Sequence, residues 1–235
     1  MSLKELNAEV EKLASPEKAK AYARFFKTGK GKYGEGDIFI GLTGPLMRSL
    51  GKKYKELSLR EVVKMLHSRI HEKRFIALVV LMHQYKKADA FYRRKIVNIY
   101  LKNIRGYINN WDLVDVSASQ IVGAYLLDKP RDVLYQLAFS KNLWEKRVSI
   151  ISTFAFIRNN EFSDSLKIAK ILLDDKHDLI HKAVGWTLRE VGKKDVSLLE
   201  KFIRTNYSRM SRTALRYAIE KFAEEKRKRY LLGNF

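Results

Sequence analysis

The sequence predicts an all-α fold, a solenoid of stacked helix pairs with one concave basic cleft. Apolar residues recur at helical spacing along almost the whole chain, and the alternation typical of strands is nearly absent. Helix-breaking residues are few, with 3 Pro and 12 Gly in 235 residues. Similar helix starts recur at intervals of about 30–40 residues, the period of two-helix repeats. We therefore expect one α-helical domain spanning residues 1–235, without a sheet.

Capping residues and short turns mark the individual helices. Ser15 followed by Pro16 is an N-cap with proline at the first helical position, and Ser58 with Glu61 forms a capping box. The predicted helices cover residues 3–13, 16–27, 38–51, 58–69, 72–86, 89–105, 111–126, 130–138, 142–158, 163–173, 178–192, 195–205 and 209–229. The recurring starts are Glu72-Lys73-Arg74, Trp111-Asp112, Glu145-Lys146-Arg147, His181-Lys182 and Ser211-Arg212. If the second helix of each pair lines the concave face, residues near these starts should converge on one strip of it.

Composition narrows the function classes. The chain has 47 Lys and Arg against 26 Asp and Glu, a net charge of +21, which predicts attraction to a polyanion, most simply nucleic acid, with an anionic membrane surface as the competing partner. The longest apolar run, Phe75–Met82, is too short to span a bilayer. The absence of Cys excludes disulfides, thiolate metal sites and a Cys nucleophile. The polar start, Met1–Leu6, shows no secretory signal, so we expect a cytoplasmic, intracellular protein. We also expect a monomer.

Trp186 lies on the polar side of its predicted helix. At about 100° per residue, it shares a stripe with Lys182 and Arg189, opposite the apolar stripe. We expect these two cations to bind DNA. A Trp between two cations is easier to explain as a flat surface for a charged or aromatic partner than as core, although a chance surface position stays open. The apolar stripe consists of Val184, Leu188 and Val191.

Three further residues stand where packing alone would not put them. Trp111 and Asp115 are i, i+4 neighbours on one helix face, and Arg147 projects into an apolar arc. Ordinary explanations stay open for each: a core Trp, a first-turn carboxylate favoured by the helix dipole, and an Arg whose head reaches solvent.

Basic residues form two further candidate contacts for phosphate. Arg209, Arg212 and Arg216 fall on one helical stripe, and the segment Lys226–Arg229 follows. A solvated helix face is the alternative, but the net charge favours a phosphate-contacting stripe. The second candidate is the Gly- and Lys-rich segment 29–34, which suits a basic loop whose backbone approaches phosphates. The segment contains Lys30 and Lys32, and Lys27 lies just before it.

Motifs that would indicate a nucleotide site, a metal site or a hydrolase active site lack the neighbouring residues or secondary structure that such sites require. Segment 29–34 matches G-x-G-x-x-G, but a predicted helix precedes it where a dinucleotide site needs a strand. Two His pairs have i, i+4 spacing, but neither has the Glu that zinc proteases place after the first His, so we expect no metal site. No nucleophile elbow or Ser-His-Asp signature is visible. The pairs are His67/His71 and His177/His181.

The combination of these segments resembles the AlkD-type DNA alkylation repair glycosylases, a family of HEAT-like helical repeat proteins. Four stretches carry the match: Phe25–Asp37, Asn110–Asp115, Leu143–Arg147 and Lys182–Glu190. The resemblance implies excision of cationic N3- and N7-alkylated purines from duplex DNA, without a metal or organic cofactor and without a pocket for a flipped base.

Carried over by position, the resemblance implies a catalytic cleft formed by Trp111, Asp115 and Trp186, with Arg147 holding DNA backbone phosphate beside it. Lys146 stands where the family often has another basic residue, and Glu145 adds a negative charge near Arg147. The alternative from a different class is a non-catalytic repeat scaffold that binds nucleic acid or an acidic protein. A carboxylate such as Asp115 on a DNA-binding surface repels phosphate, so a scaffold would have no use for it.

Overall fold

The computed structural model describes residues 1–235, and its regular structure is helical. The only β-type pairing is an isolated parallel bridge between Ile38 and Ile70. The α-helices are α1 (Leu3–Lys12), α2 (Pro16–Phe25), α3 (Gly44–Lys53), α4 (Leu59–Leu66), α5 (His71–Lys87), α6 (Ala90–Asn103), α7 (Trp111–Ala118), α8 (Asp132–Ala138), α9 (Leu143–Ser152), α10 (Phe154–Arg158), α11 (Ser163–Leu172), α12 (Asp178–Lys194), α13 (Val196–Asn206), α14 (Arg212–Ala218) and α15 (Glu224–Leu232). The prediction of an all-α fold is confirmed.

The chain divides into two compact units, Met1–Ser117 and Ala118–Phe235. In the first unit α5 packs against α3, α4 and α6. In the second, α8 pairs with α9 and α11 pairs with α12, while α12 also packs against α9 and α14. Consecutive helices thus pair, and second helices pack on one another, as the repeat period predicts. The single domain and the concave face stay predictions.

Apolar side chains of the helices fill the core of each unit. In α5 every residue from Phe75 to Leu81 is buried, and in α12 the predicted apolar stripe of Val184, Leu188 and Val191 is at most 1% exposed. None of the helices is both long enough and apolar enough to span a membrane.

The predicted helix over 38–51 begins only at Gly44, so its first part is wrong. Residues 38–43 are irregular and not helical, because a buried carboxylate, Glu72 of α5, accepts hydrogen bonds from the backbone N–H groups of Ile40 and Gly41 at 3.0 and 2.8 Å. Gly41 adopts a φ of 89°, a left-handed conformation that suits glycine. Apolar periodicity in this stretch could not reveal a carboxylate supplied from another helix.

Three other predicted helices are interrupted. The predicted helix over 111–126 is interrupted by a π-helical turn at residues 119–123. The predicted helix over 142–158 breaks at Thr153, whose hydroxyl donates to the Ile150 carbonyl at 2.6 Å. Such back-bonding bends helices. The predicted helix over 209–229 is two helices, α14 and α15, separated by a turn in which the Phe222 N–H donates to the Ile219 carbonyl at 3.0 Å.

Candidate active site

A Gly- and Lys-rich segment follows α2 and precedes residues 38–43. This segment, residues 26–37, is here called the basic loop, and it folds into consecutive turns. The backbone takes left-handed φ values at Lys27 (53°) and Gly31 (72°). A Cβ at Gly34 would collide with the carbonyl oxygen of Phe26, so the loop closes on its own start only with glycine there. Glu35 accepts a hydrogen bond from the Gly31 N–H at 2.7 Å. Lys27, Lys30 and Lys32 are exposed, as the sequence interpretation requires.

An aromatic stack connects this loop to α7. Phe26 lies against Trp111 with ring centroids 5.2 Å apart and planes 13° apart, and Phe39 stacks on Phe26 at 4.8 Å. Phe25, whose side chain is 64% exposed, meets Trp111 edge-on at 5.9 Å. Trp111 is half-buried. It is therefore neither an ordinary core Trp nor a fully exposed one.

A buried network of charges lies beneath the stack. Asp37, the last residue of the basic loop, accepts from Arg74 of α5 at 2.6 Å and from the Asn110 side-chain amide at 3.0 Å. His71, the first residue of α5, places Nδ1 3.0 Å from Asp37 and Nε2 2.8 Å from Asp112 of α7. Each of these bonds links a different segment of the first unit.

The pKa values of the network follow from burial and pairing. Burial alone would lower the pKa of His71, but the charge and hydrogen bond of Asp112, together with Asp37, outweigh it and raise the pKa to about 9. For Asp37, burial acts to raise the pKa, yet the hydrogen bond from His71 and the charge of Arg74 prevail and hold it below its usual value. His71 and Asp37 are therefore held in their charged forms at neutral pH.

Asp115 lies one helical turn after Trp111 on α7 and is partly exposed. Its carboxylate is close enough to Tyr100 of α6 to influence that phenol. Burial raises the pKa of Tyr100, and the negative charge of Asp115 raises it further. The Tyr100 hydroxyl is 2.9 Å from the Ser117 hydroxyl. Asp115 thus lies at the boundary between the buried Tyr100 and solvent.

Trp186 of α12 is half-buried, on the face it was predicted to share with Lys182 and Arg189. Its indole N–H donates to Oε1 of Glu190 at 3.1 Å, and Phe154 meets the ring edge-on at 4.7 Å and 89°. Gly185 beside it allows α12 and α14 to pack closely, because a Cβ there would collide with the Ala214 carbonyl. The ring is therefore held on two sides within the second unit.

Arg147 of α9 is buried, with 4% exposure. Its Nη1 donates to the Leu179 carbonyl at 2.5 Å, so the guanidinium does not extend to solvent as the ordinary explanation for it supposed. In this conformation a phosphate could reach only the small exposed area. Nearby, Lys146 pairs with Asp175 at 2.6 Å, and Glu145 accepts from the Ser140 hydroxyl.

The other predicted phosphate-binding cations are exposed or half-exposed, and several have acidic neighbours. Lys182 pairs with Asp178 at 2.8 Å, while Arg189 pairs with Glu220 and Arg209 with Asp174. Arg212 donates to the Leu231 carbonyl at 2.6 Å, and Arg216 is exposed. To contact phosphate, the paired residues would have to give up their present carboxylate or carbonyl partners. Their roles in DNA binding stay predictions.

Sequence reasoning missed the residues that hold the predicted ones in place. The i, i+4 spacing of His67 and His71 suggests only a metal site, whereas His67 forms a hydrogen bond with Asn103 at 2.7 Å and His71 binds two carboxylates. Glu190 could have been found, because it is i+4 from Trp186. The supporting residues to which the sequence assigns no role are Phe26, Asp37, Phe39, Arg74, Asn110, Asp112, Phe154 and Glu190.

Comparison with known proteins places the chain in a family. The sequence model of a family described as DNA alkylation repair enzyme matches residues 6–222. The chain is similar in structure to a protein from Enterococcus faecalis described as a predicted DNA alkylation repair enzyme, with a TM-score of 0.73, 16% identity, and coverage of 90% of this chain and 97% of that chain. At this identity the likeness shows a shared fold. No curated protein matches the sequence.

Proposed function

Because the chain belongs to the DNA alkylation repair enzyme family, we propose that it is a DNA glycosylase that excises cationic N3- and N7-alkylated purines, such as 3-methyladenine and 7-methylguanine, from duplex DNA. The observation that carries this proposal is Trp111. Its indole is half-buried and stacked on Phe26, and a partly exposed carboxylate, Asp115, follows one turn later on the same helix. An aromatic face and a carboxylate are the two groups that a cationic substrate needs.

The reaction breaks the bond between the sugar C1′ and the purine nitrogen. Its electron pair goes to the base, which leaves as the neutral alkylpurine, and the positive charge passes to the sugar as an oxocarbenium-like centre. Water then adds to C1′ and loses a proton, which gives an abasic site. The alkylated base is a good leaving group because it carries the charge before cleavage, and the proposed step needs no metal or organic cofactor.

Asp115 is the proposed electrostatic catalyst. A carboxylate beside the developing sugar cation stabilises the transition state more than the ground state, and it can accept the proton of the attacking water. Trp111 and Trp186 are proposed to hold the cationic purine, since an indole face stabilises a cation by ~0.5–2 kcal/mol. The carboxylate of Glu190 at the Trp186 N–H supports this role because it makes that ring more electron-rich.

The surrounding cations are proposed to bind the DNA backbone. Arg147 would contact phosphate, as the family resemblance implies, and Lys182 and Arg189, which flank Trp186, are proposed to do the same. The basic loop would contribute Lys27, Lys30 and Lys32, and α14 with its preceding turn would contribute Arg209, Arg212 and Arg216. The net charge of +21 supports such long-range attraction.

The direct test is incubation with duplex DNA that contains 7-methylguanine or 3-methyladenine, followed by chromatographic detection of free base. Under single-turnover conditions, with enzyme in excess over DNA, we expect release of the alkylated base and one abasic site in the strand for each base released. Tight duplex binding without base release would favour the non-catalytic scaffold instead.

A further inference from the structure

Both ring nitrogens of His71 face carboxylates. Nδ1 is 3.0 Å from Oδ2 of Asp37 and Nε2 is 2.8 Å from Oδ2 of Asp112. An ionised carboxylate only accepts hydrogen bonds, so both nitrogens must donate, and a neutral imidazole has only one N–H. Asp37 also accepts from Arg74 and Asn110, which keeps it ionised. The geometry therefore requires His71 as an imidazolium.

The charges around His71 balance. Asp37 faces it from the basic loop, Asp112 faces it from α7, and Arg74 of its own helix has a guanidinium nitrogen 3.4 Å from Nδ1. Two cations thus meet two anions in a site where the His71 side chain is 1% exposed. Removing the proton from His71 would leave an uncompensated buried negative charge, which is strongly unfavourable.

The network reaches Trp111 by two routes. Along the backbone, the side-chain amide of Asn110 donates to Asp37 at 3.0 Å while its oxygen accepts the Trp111 N–H at 2.9 Å. Through the rings, Phe26 lies 5.0 Å from the His71 imidazole and 5.2 Å from the Trp111 indole, and is stacked on the latter. His71 thus contacts both the start of α7, through Asp112, and the ring that supports Trp111.

We propose that His71 is a positioning residue for the excision reaction: as a buried imidazolium between Asp37 and Asp112, it fixes Trp111 and Asp115 of α7 relative to the basic loop. This role rests on the proposed function, because it is the reactive geometry of α7 that His71 maintains. His71 itself touches neither the lesion nor the reacting atoms.

The charge state and the positioning can be measured without any activity. In the ¹⁵N-labelled protein, His71 is assigned by comparison with His71→Asn, and its ring nitrogens are followed with pH. We expect two N–H groups at neutral pH and deprotonation near pH 9. The Trp111 indole resonance should move in step with His71, whereas those of Trp144 and Trp186 should not. A His71 that is neutral at pH 7, or a Trp111 resonance that ignores its titration, overturns the proposal whether or not the protein releases base.

Activity supplies the second test, using Asp112→Asn. The variant keeps an acceptor oxygen for Nε2 but removes one of the charges that hold the proton on His71. The alkaline limb of the excision profile should move to lower pH, and kcat should fall on the order of tenfold with little change in DNA affinity, since a misplacement of ~1 Å can cost about 100-fold. The control is His67→Asn, an exposed His on the preceding turn. An unchanged pH profile in an active Asp112→Asn protein contradicts the positioning role, whereas a wild-type protein that releases no base contradicts only the proposed function.

Discussion

The ring of Phe26 lies nearly parallel to the indole of Trp111, with centroids 5.2 Å and planes 13° apart. Phe26 also stacks on Phe39 at 4.8 Å. The indole that is proposed to hold the lesion therefore rests on a fixed aromatic support, and its orientation depends on where the chain leaves α2.

Replacing Phe26 by Leu tests this support. Leu keeps most of the apolar volume but loses the flat contact, and aromatic pairs contribute ~0.5–1.5 kcal/mol beyond their buried area. We expect base release to fall by roughly 2- to 10-fold with similar duplex affinity, measured under single-turnover conditions. Phe91→Leu, at an exposed position of α6, is the control. Equal rates in both variants would mean that the stack does not orient Trp111.

The Trp186–Glu190 hydrogen bond gives a prediction about lesion charge. Glu190→Gln retains an acceptor for the indole N–H but removes the negative charge 3.1 Å from it. Excision of a cationic purine should therefore fall, by about 2- to 10-fold for a loss of ~0.5–1.5 kcal/mol of cation–π stabilisation. Trp186→Ala should weaken both lesion recognition and turnover. A Glu190→Gln protein as active as the wild type would show that the carboxylate only fixes the ring.

The basic stripe of Arg209, Arg212 and Arg216 predicts salt-dependent binding. We expect the logarithm of duplex affinity to fall with the logarithm of salt concentration, with a slope of ~0.9 per phosphate contacted. Replacing all three by Ala should weaken binding equally for damaged and undamaged duplex, as measured by fluorescence anisotropy at several salt concentrations. Affinity that is independent of salt would instead indicate an apolar partner.

Gly185 gives a prediction about stability. A Cβ there would collide with the Ala214 backbone carbonyl of α14, and forced overpacking typically costs ~1–3 kcal/mol. Gly185→Ala should lower the Tm, whereas Gly106→Ala, where a Cβ would meet nothing within 4 Å, should not. Differential scanning calorimetry of the two variants decides the matter, and equal Tm values would argue against close packing at Gly185.

The raised pKa of His71 makes stability pH-dependent. Its ordinary value is 6.5 and its value in the folded protein is about 9, so the folded state binds the proton more tightly. The resulting stabilisation is fully present below pH 6.5 and is lost as the pH rises through about 9. The difference in Tm between the wild type and Asp112→Asn should therefore shrink over that range. A constant difference would contradict the pairing.

The sequence predicted the elements that periodicity and capping control. The capping box of Ser58 and Glu61 forms as expected, and the face of α12 that carries Trp186 is partly exposed. The missed features depend on contacts distant in sequence. Glu72 accepts a hydrogen bond from Gly41 in a segment that is not helical, and His71 contacts carboxylates from two other segments. No local pattern contains either contact.

The site residues show the same division between features that a local pattern reveals and contacts that it does not. Trp111 and Asp115 could be singled out because their types conflict with their positions on a helix. Arg147 was singled out for the same reason, yet its guanidinium donates to the Leu179 carbonyl at 2.5 Å, a partner that periodicity cannot reveal. Its contact with phosphate stays a prediction.

The measurement that tests catalysis by Asp115 most directly is single-turnover release of 7-methylguanine from duplex DNA by Asp115→Asn. The amide keeps the shape of the side chain and removes its charge. We expect release to slow by roughly 10- to 1000-fold, a loss of about 1.4–4 kcal/mol of transition-state stabilisation. Duplex affinity should hold or rise, because a negative charge near phosphates is gone. Asp132→Asn, at an exposed position in the first turn of α8, is the control and should match the wild type. A folded Asp115→Asn protein that releases base at the wild-type rate would contradict the role of this carboxylate in catalysis.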